Sequence, residues 1–213
     1  MKLLVLGASG GCGRHVVRLA IERGHAVAAV VRSHAKLDEP AAIVVRDDVL
    51  RPGAIEAAAH DCDAVISCLG IRRRFPRNPW SRMLSPPDFT SRSAHAVVAA
   101  ARAAGISRVL AISAAGVADS WPRMHPLLRF VFARSRIGDA YRDLAAMEQV
   151  YASSGLDWTC IRPVTLSPGK LRGYREVDRY ALAATISRAT VASWLLDHVT
   201  ASGARTPMIG ASR

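Results

Sequence analysis

The chain is short of lysine, carboxylates, aromatic residues and cysteine, and each shortage excludes something. Lys2, Lys36 and Lys170 are its only lysines, so the 29 basic residues are nearly all arginine. Against 17 acidic residues they leave a net charge of +12. Cys12, Cys62, Cys68 and Cys160 form no Cys-x-x-Cys pair. That argues against a disulfide framework or a zinc ribbon and favours a reduced, cytoplasmic setting. No two histidines stand at metal-ligand spacing, so no metal is expected. No apolar run reaches the roughly 18–20 residues of a membrane span, and no membrane partner is expected. The apolar start, Leu3 to Leu6, stops at Gly7 and is too short for a secretory signal. With 50% hydrophobic positions the chain is not disordered, and 213 residues suit one domain spanning 1–213.

The hydrophobic residues that are present alternate between strand-like and helix-like runs. Largely apolar stretches at 2–6, 26–31, 43–45, 64–69, 108–112 and 158–162, with a short one at 207–209, read as buried strands. Helical patterns at 14–23, 54–60, 93–104, 139–153 and 188–199 separate most of them, with Gly24 and Gly105 placed as helix stops. Such alternation predicts an α/β fold whose parallel strands are joined by right-handed crossovers. Two stretches break the rhythm. Residues 71–90 hold four prolines and five arginines, and residues 117–136 carry Trp121, Pro122, His125 and Pro126. Both read as loops. Each follows a strand's C-terminal end, where open α/β sheets bind ligands, so both are expected to wall a substrate.

Between the first strand and the first helix lies Gly7-Ala8-Ser9-Gly10-Gly11-Cys12-Gly13, a Gly-x-x-Gly-x-x-Gly spacing. This strand–turn–helix context is what a dinucleotide needs. Gly7 allows the tight turn, Gly10 removes a side chain where a diphosphate approaches, and Gly13 lets helix and strand pack closely. The backbone N–H groups of this turn, with the helix dipole behind them, would face phosphate, Cys12 included. The expected fold is therefore a Rossmann-type doubly wound parallel sheet. An NAD site usually carries a carboxylate at the end of strand two. Here that position reads Arg32-Ser33, and no acid follows until Asp38. A guanidinium and a hydroxyl there suit the 2′-phosphate of NADP(H), which is the expected cofactor in preference to NAD(H).

The turn resembles the Gly-Ala-Thr-Gly-x-Thr-Gly turn of atypical short-chain dehydrogenase/reductase proteins. More specifically, the chain resembles the NAD(P)H-binding group that includes biliverdin reductase B, flavin reductases and NmrA-like proteins. The likeness runs through nearly the whole chain, including Ser154-Gly-Leu-Asp-Trp-Thr-Cys-Ile-Arg162-Pro163. It implies that Asp48 and Val49, in Asp47-Asp48-Val49, border adenine. Cys68, Leu69 and Gly70 would pass over the adenosine ribose. Ser113, in Leu110-Ala-Ile-Ser-Ala-Ala-Gly116, would lie near nicotinamide, with backbone amides beside the carboxamide at Pro163 and Val164.

The catalytic side of the resemblance is thinner. Tyr141 stands where a Tyr-x-x-x-Lys pair would begin, but Ala145 occupies the lysine position and the helix carries no lysine. Near Thr165 the chain also lacks the histidine of biliverdin reductase B. Ser113 and Tyr141 are the candidate catalytic residues. Hydride transfer to a flavin or quinone asks little of the protein beyond positioning, so the missing lysine weighs less there than against an alcohol dehydrogenase. The expected function is an NADPH-dependent oxidoreductase acting on a small planar or carbonyl acceptor. The alternative is a non-catalytic NADP(H) sensor of the NmrA-like kind. The basic, aromatic run Arg72-Arg-Arg-Phe-Pro-Arg77 with Trp80 suits stacking on nucleic acid, but no helix-turn-helix or RNA-recognition pattern accompanies it. A small molecule is the expected partner and nucleic acid is not expected; the sequence does not set the oligomeric state, and a monomer is compatible with it.

Overall fold

A computed structural model describes all residues except 36, 38, 40, 41, 77 and 213. Lys36, Asp38 and Arg77, named above, lie outside the described residues. Six strands build the centre: β1 (Lys2–Leu6), β2 (Ala26–Val31), β3 (Ala42–Arg46), β4 (Ala64–Ser67), β5 (Arg108–Ile112) and β6 (Asp157–Pro163). They pair in parallel in the order β3-β2-β1-β4-β5-β6. The order reverses between β1 and β4, and the crevice at their C-terminal ends is where this topology binds ligands. The doubly wound expectation holds.

Alternation along each strand fills two cores. Leu3 and Val5 of β1 point to one face, which is covered by α1 (Gly13–Glu22) and α6 (Arg188–Asp197). Leu4 and Leu6 point to the other face, covered by α2 (Glu56–Ala59), α3 (Phe89–Ala103) and α5 (Arg136–Ala152). Trp194, Leu195 and Leu196 of α6 are buried. A buried Arg162–Glu148 pair, joined from the surface by the exposed Asp119, ties the second face together. Arg162 of β6 donates to both carboxylate oxygens of Glu148 on α5, at 3.0 and 2.7 Å, and to Asp119 at 2.7 Å. Such a buried pair contributes little net stability, yet losing Arg162 strands the Glu148 charge in the interior.

The structure departs from the sequence expectations in three places. Residues 117–136 are not an open loop. They form a 3-10 helix (Ala118–Arg123) and α4 (Pro126–Ala133). His125 supplies the cap, its Nδ1 accepting from the Leu127 N–H at 3.2 Å, and Pro126 is preset for a first helical turn. The loop at 71–90 ends at Asp88, because α3 begins at Phe89. The start of α3 is capped from outside: the amide and hydroxyl groups of Thr90 and Ser91 all donate to the Asp143 carboxylate on α5. Three short strands that the sequence did not suggest join the expected last strand to complete the chain. β7 (Thr165–Ser167) pairs in parallel with β9 (Thr185–Ser187), and β8 (Tyr174–Glu176) runs antiparallel along β10 (Met208–Ala211), which extends the main sheet beyond β6. Three-residue strands are too short to carry a readable alternation.

Candidate functional site

Sterics dictate the glycine turn. Gly7 has φ +70°, and a Cβ there would meet the Cys68 carbonyl oxygen at 2.9 Å. At Gly13 a Cβ would lie 2.1 Å from the Gly7 oxygen, an overlap of backbone with backbone. The Gly10 N–H closes the turn onto Gly7 O at 2.8 Å. Past that bond, the N–H groups of Gly11, Cys12 and Gly13 meet no acceptor among the described residues. Three successive unpaired donors at a ten-residue helix's start form a cradle for an anion.

Gly11 has a reason that sequence reading missed. A Cβ there would meet Arg188 Cδ and Nε at 2.8 Å, so the arginine that opens α6 lies directly against the turn. Arg188 has no ion pair among the described residues, and its charge reaches both Cys12 and His15. No local motif announces this: the two residues meet only because α1 and α6 share a face of the sheet. The Cys12 thiol is pushed up to about 11 by burial, with Arg188 opposing, so it is an inert filler rather than an activated thiol. Its side chain makes no cap bond either.

Beside the turn, a cavity of about 280 Å³ opens at the ends of β1, β2, β3 and β4. It gathers Gly7, Ser9 and Gly10 with Arg32, Asp48 and Val49, and with Cys68, Leu69 and Gly70. Leu50 adds a wall that the sequence did not single out, and Arg72, Leu84 and Phe89 add walls from the 71–90 stretch. Arg32 is exposed and makes no ion pair among the described residues. Asp47 lines the same cavity, but its carboxyl is held at about 2, chiefly by the Arg51 guanidinium bonded to it. Asp48 Oδ1 accepts the Leu50 N–H at 3.0 Å and turns the chain so that Val49 is buried. Ser33 follows in a turn closed by Ala35 N–H to Arg32 O at 2.8 Å and does not line the cavity.

The opposite end of the crevice is less uniform. Ser113 follows β5, is buried, and its Oγ has no hydrogen-bond partner among the described residues. An unpaired buried hydroxyl is costly unless something else completes it. Tyr141 lies close by, but its hydroxyl donates to Ala115 O at 2.9 Å, and Trp121 and Phe132 meet its ring edge-on. Burial drives that phenol far above its ordinary range. Val164 corrects an expectation: its N–H donates to Ile209 O at 3.0 Å and so belongs to the sheet. Pro163 has no N–H and instead accepts from Ala115 at 3.0 Å. His125 caps α4, as described above. A sharp turn, with Gly116 at φ +90° and Ala118 at φ +48°, carries the chain away from Ser113.

Comparison with known proteins agrees with this geometry. A sequence profile described as NAD(P)H-binding matches residues 7–202. A 3-diazoavenalumate denitrifying reductase from Streptomyces is 32% identical over 177 residues, covering 79% of this chain and 58% of that protein. A photosystem II assembly factor from Synechocystis is 41% identical over 75 residues, covering 34% of this chain and 23% of that one. The chain thus spans between about a quarter and three fifths of these relatives. Among solved structures, an anaerobillin reductase from Escherichia coli O157:H7 superposes with a TM-score of 0.79 at 24% identity, covering 98% of this chain and 96% of that one. At that identity the likeness concerns the fold.

Proposed function

The chain belongs to the NAD(P)H-binding family, and from that premise we propose that it prefers NADP(H) to NAD(H) and delivers hydride to a small planar or carbonyl acceptor. The observation that carries the reading is the anion cradle of Gly11, Cys12 and Gly13 and the two guanidinium groups beside it, Arg188 at the turn and Arg32 at the cavity, all without partners among the described residues. The residues fit a dinucleotide. The amides of the turn and Arg188 would hold the diphosphate, and Asp48, Val49 and Leu69 would border the adenosine. Arg32 would take the 2′-phosphate, with Ser33 as a neighbouring donor. The bound nicotinamide supplies the hydride. Ser113 Oγ is the donor left to orient an acceptor, because none of the described residues occupies it. Tyr141 fixes the Ala115 backbone two residues away, and we assign it that positioning role rather than proton delivery. An acceptor such as a flavin or quinone takes its proton from water.

The committed Tyr141 hydroxyl and the absence of lysine on α5 favour one second reading, a sensor that binds NADP(H) without turnover. Steady-state NADPH oxidation across flavin, quinone and aldehyde acceptors separates the two. The reductase reading expects turnover with at least one planar acceptor, and a Ser113→Ala loss of about tenfold in kcat with NADPH affinity unchanged. Rates at buffer background throughout, beside intact NADPH binding, would leave the sensor.

A further inference from the structure

We propose that the face built by α4 and the hairpin at 72–84 docks on an anionic lipid surface. None of the eight residues of α4 is buried, although six of them are apolar. Leu127 and Phe130 are 51% and 57% exposed, and across the hairpin Phe75 and Trp80 are 58% and 59% exposed. The two elements form one surface: Trp80 Nε1 donates to the Arg134 carbonyl at 3.1 Å, just past the end of α4. Arg73 and Met83 bridge the hairpin itself. Guanidinium groups sit on the exposed rings, with Arg134 4.0 Å over Phe130 and Arg74 5.4 Å over Phe75.

Charge selects the occupant. Residues 71–87 and 120–138 contain no aspartate or glutamate. The flanking acids are engaged: Asp119 by Arg123 and Arg162, Asp139 by Arg136 and Arg142. Arg74, Arg82, Arg129 and Arg134 make no ion pair among the described residues. A second copy of the chain is a poor partner, because a two-fold interface would press this arginine cluster against itself. Nucleic acid would satisfy the arginines and aromatic rings, but leaves Leu127 in water. An anionic bilayer satisfies both: aliphatic and aromatic groups enter the headgroup–acyl boundary while arginines meet phosphates. No helix among the described residues is long and apolar enough to cross a membrane, so the contact is peripheral. The inference does not depend on the cofactor reading.

Co-sedimentation of the full chain with vesicles tests it. Phosphatidylcholine vesicles mixed with phosphatidylglycerol should pellet the protein, pure phosphatidylcholine should not, and raised salt should weaken the binding. The double variant Leu127→Glu with Phe130→Glu should lower affinity at least about tenfold, and Arg129→Ser with Arg134→Ser should lower it similarly. All four positions lie on the surface, and an unchanged thermal midpoint confirms the fold in each variant. Three results overturn the proposal: no wild-type binding to the anionic vesicles, binding that both double variants retain, or a solution dimer that Leu127→Glu with Phe130→Glu dissolves. Tighter binding to a single-stranded oligonucleotide than to the vesicles, lost in the same variants, also overturns it.

Discussion

Replacing Gly13 with alanine should unfold the protein some 5–15 °C earlier and abolish dinucleotide binding. In an ordinary helix the same change is favourable, by up to about 1 kcal/mol. Here the added methyl would lie 2.1 Å from Gly7 O and 2.8 Å from Ala8 Cα, and neither atom belongs to a side chain that can swing aside. The turn must open or α1 must move off β1, at a cost of about 2–4 kcal/mol. For a chain of this size that corresponds to the stated shift. Opening the turn also moves the Gly11, Cys12 and Gly13 amides, so binding falls with stability. Gly24→Ala is the control. Gly24 has φ +78° but no atom within 4 Å of the added methyl, so only the backbone conformation is penalised, by about 1–2 kcal/mol. Binding should survive there. Thermal melts and NADPH fluorescence on both variants check the contrast, and an unchanged midpoint for Gly13→Ala would contradict it.

Arg32→Ala should weaken NADPH binding about 10–100-fold and leave NADH binding within about twofold. The guanidinium has no ion pair among the described residues, so little else is lost when it goes. Arg188→Gln should behave differently, weakening both cofactors alike, because it faces the diphosphate they share. The pH dependence has a definite sign. A phosphate monoester loses its second proton near pH ~6, and only the dianion uses Arg32 fully. NADPH preference should therefore rise between pH 5 and 7. Asp47 does not add to that rise, since its carboxyl, held at about 2 by Arg51, is ionised throughout. Parallel fluorescence titrations of both cofactors across this range give the answer. A preference that Arg32→Ala leaves intact would assign 2′-phosphate recognition elsewhere, with Arg72 the next guanidinium in the cavity.

The strands and the glycine turn were legible because their signals are local. Four successive apolar residues ending at Gly7, or Gly24 after a helical face, depend on neighbours in sequence. Arg32 was legible for the same reason, as the residue that ends a readable strand. What escaped notice depends on contacts between distant segments. Arg188 reaches Gly11 across 177 positions, and the early start of α3 depends on Asp143 from another helix. The segment at 117–136 read as a loop because Trp121, Pro122 and Pro126 break any period, although Pro126 in fact opens a helix. Tyr141 could be found by position, but the sequence could not show that its hydroxyl is taken by Ala115. The amide of Val164 was assigned to a ligand by resemblance, whereas β10, whose pairing with β6 is only two residues long, claims it.

Isothermal titration of the folded, wild-type chain tests the central claim most directly. The account predicts one saturable site for NADPH, a weaker one for NADH, and competition of both by ADP, which carries the diphosphate without the nicotinamide. A flat trace with NADPH and NADH alike, from protein whose melt shows it folded, would contradict it.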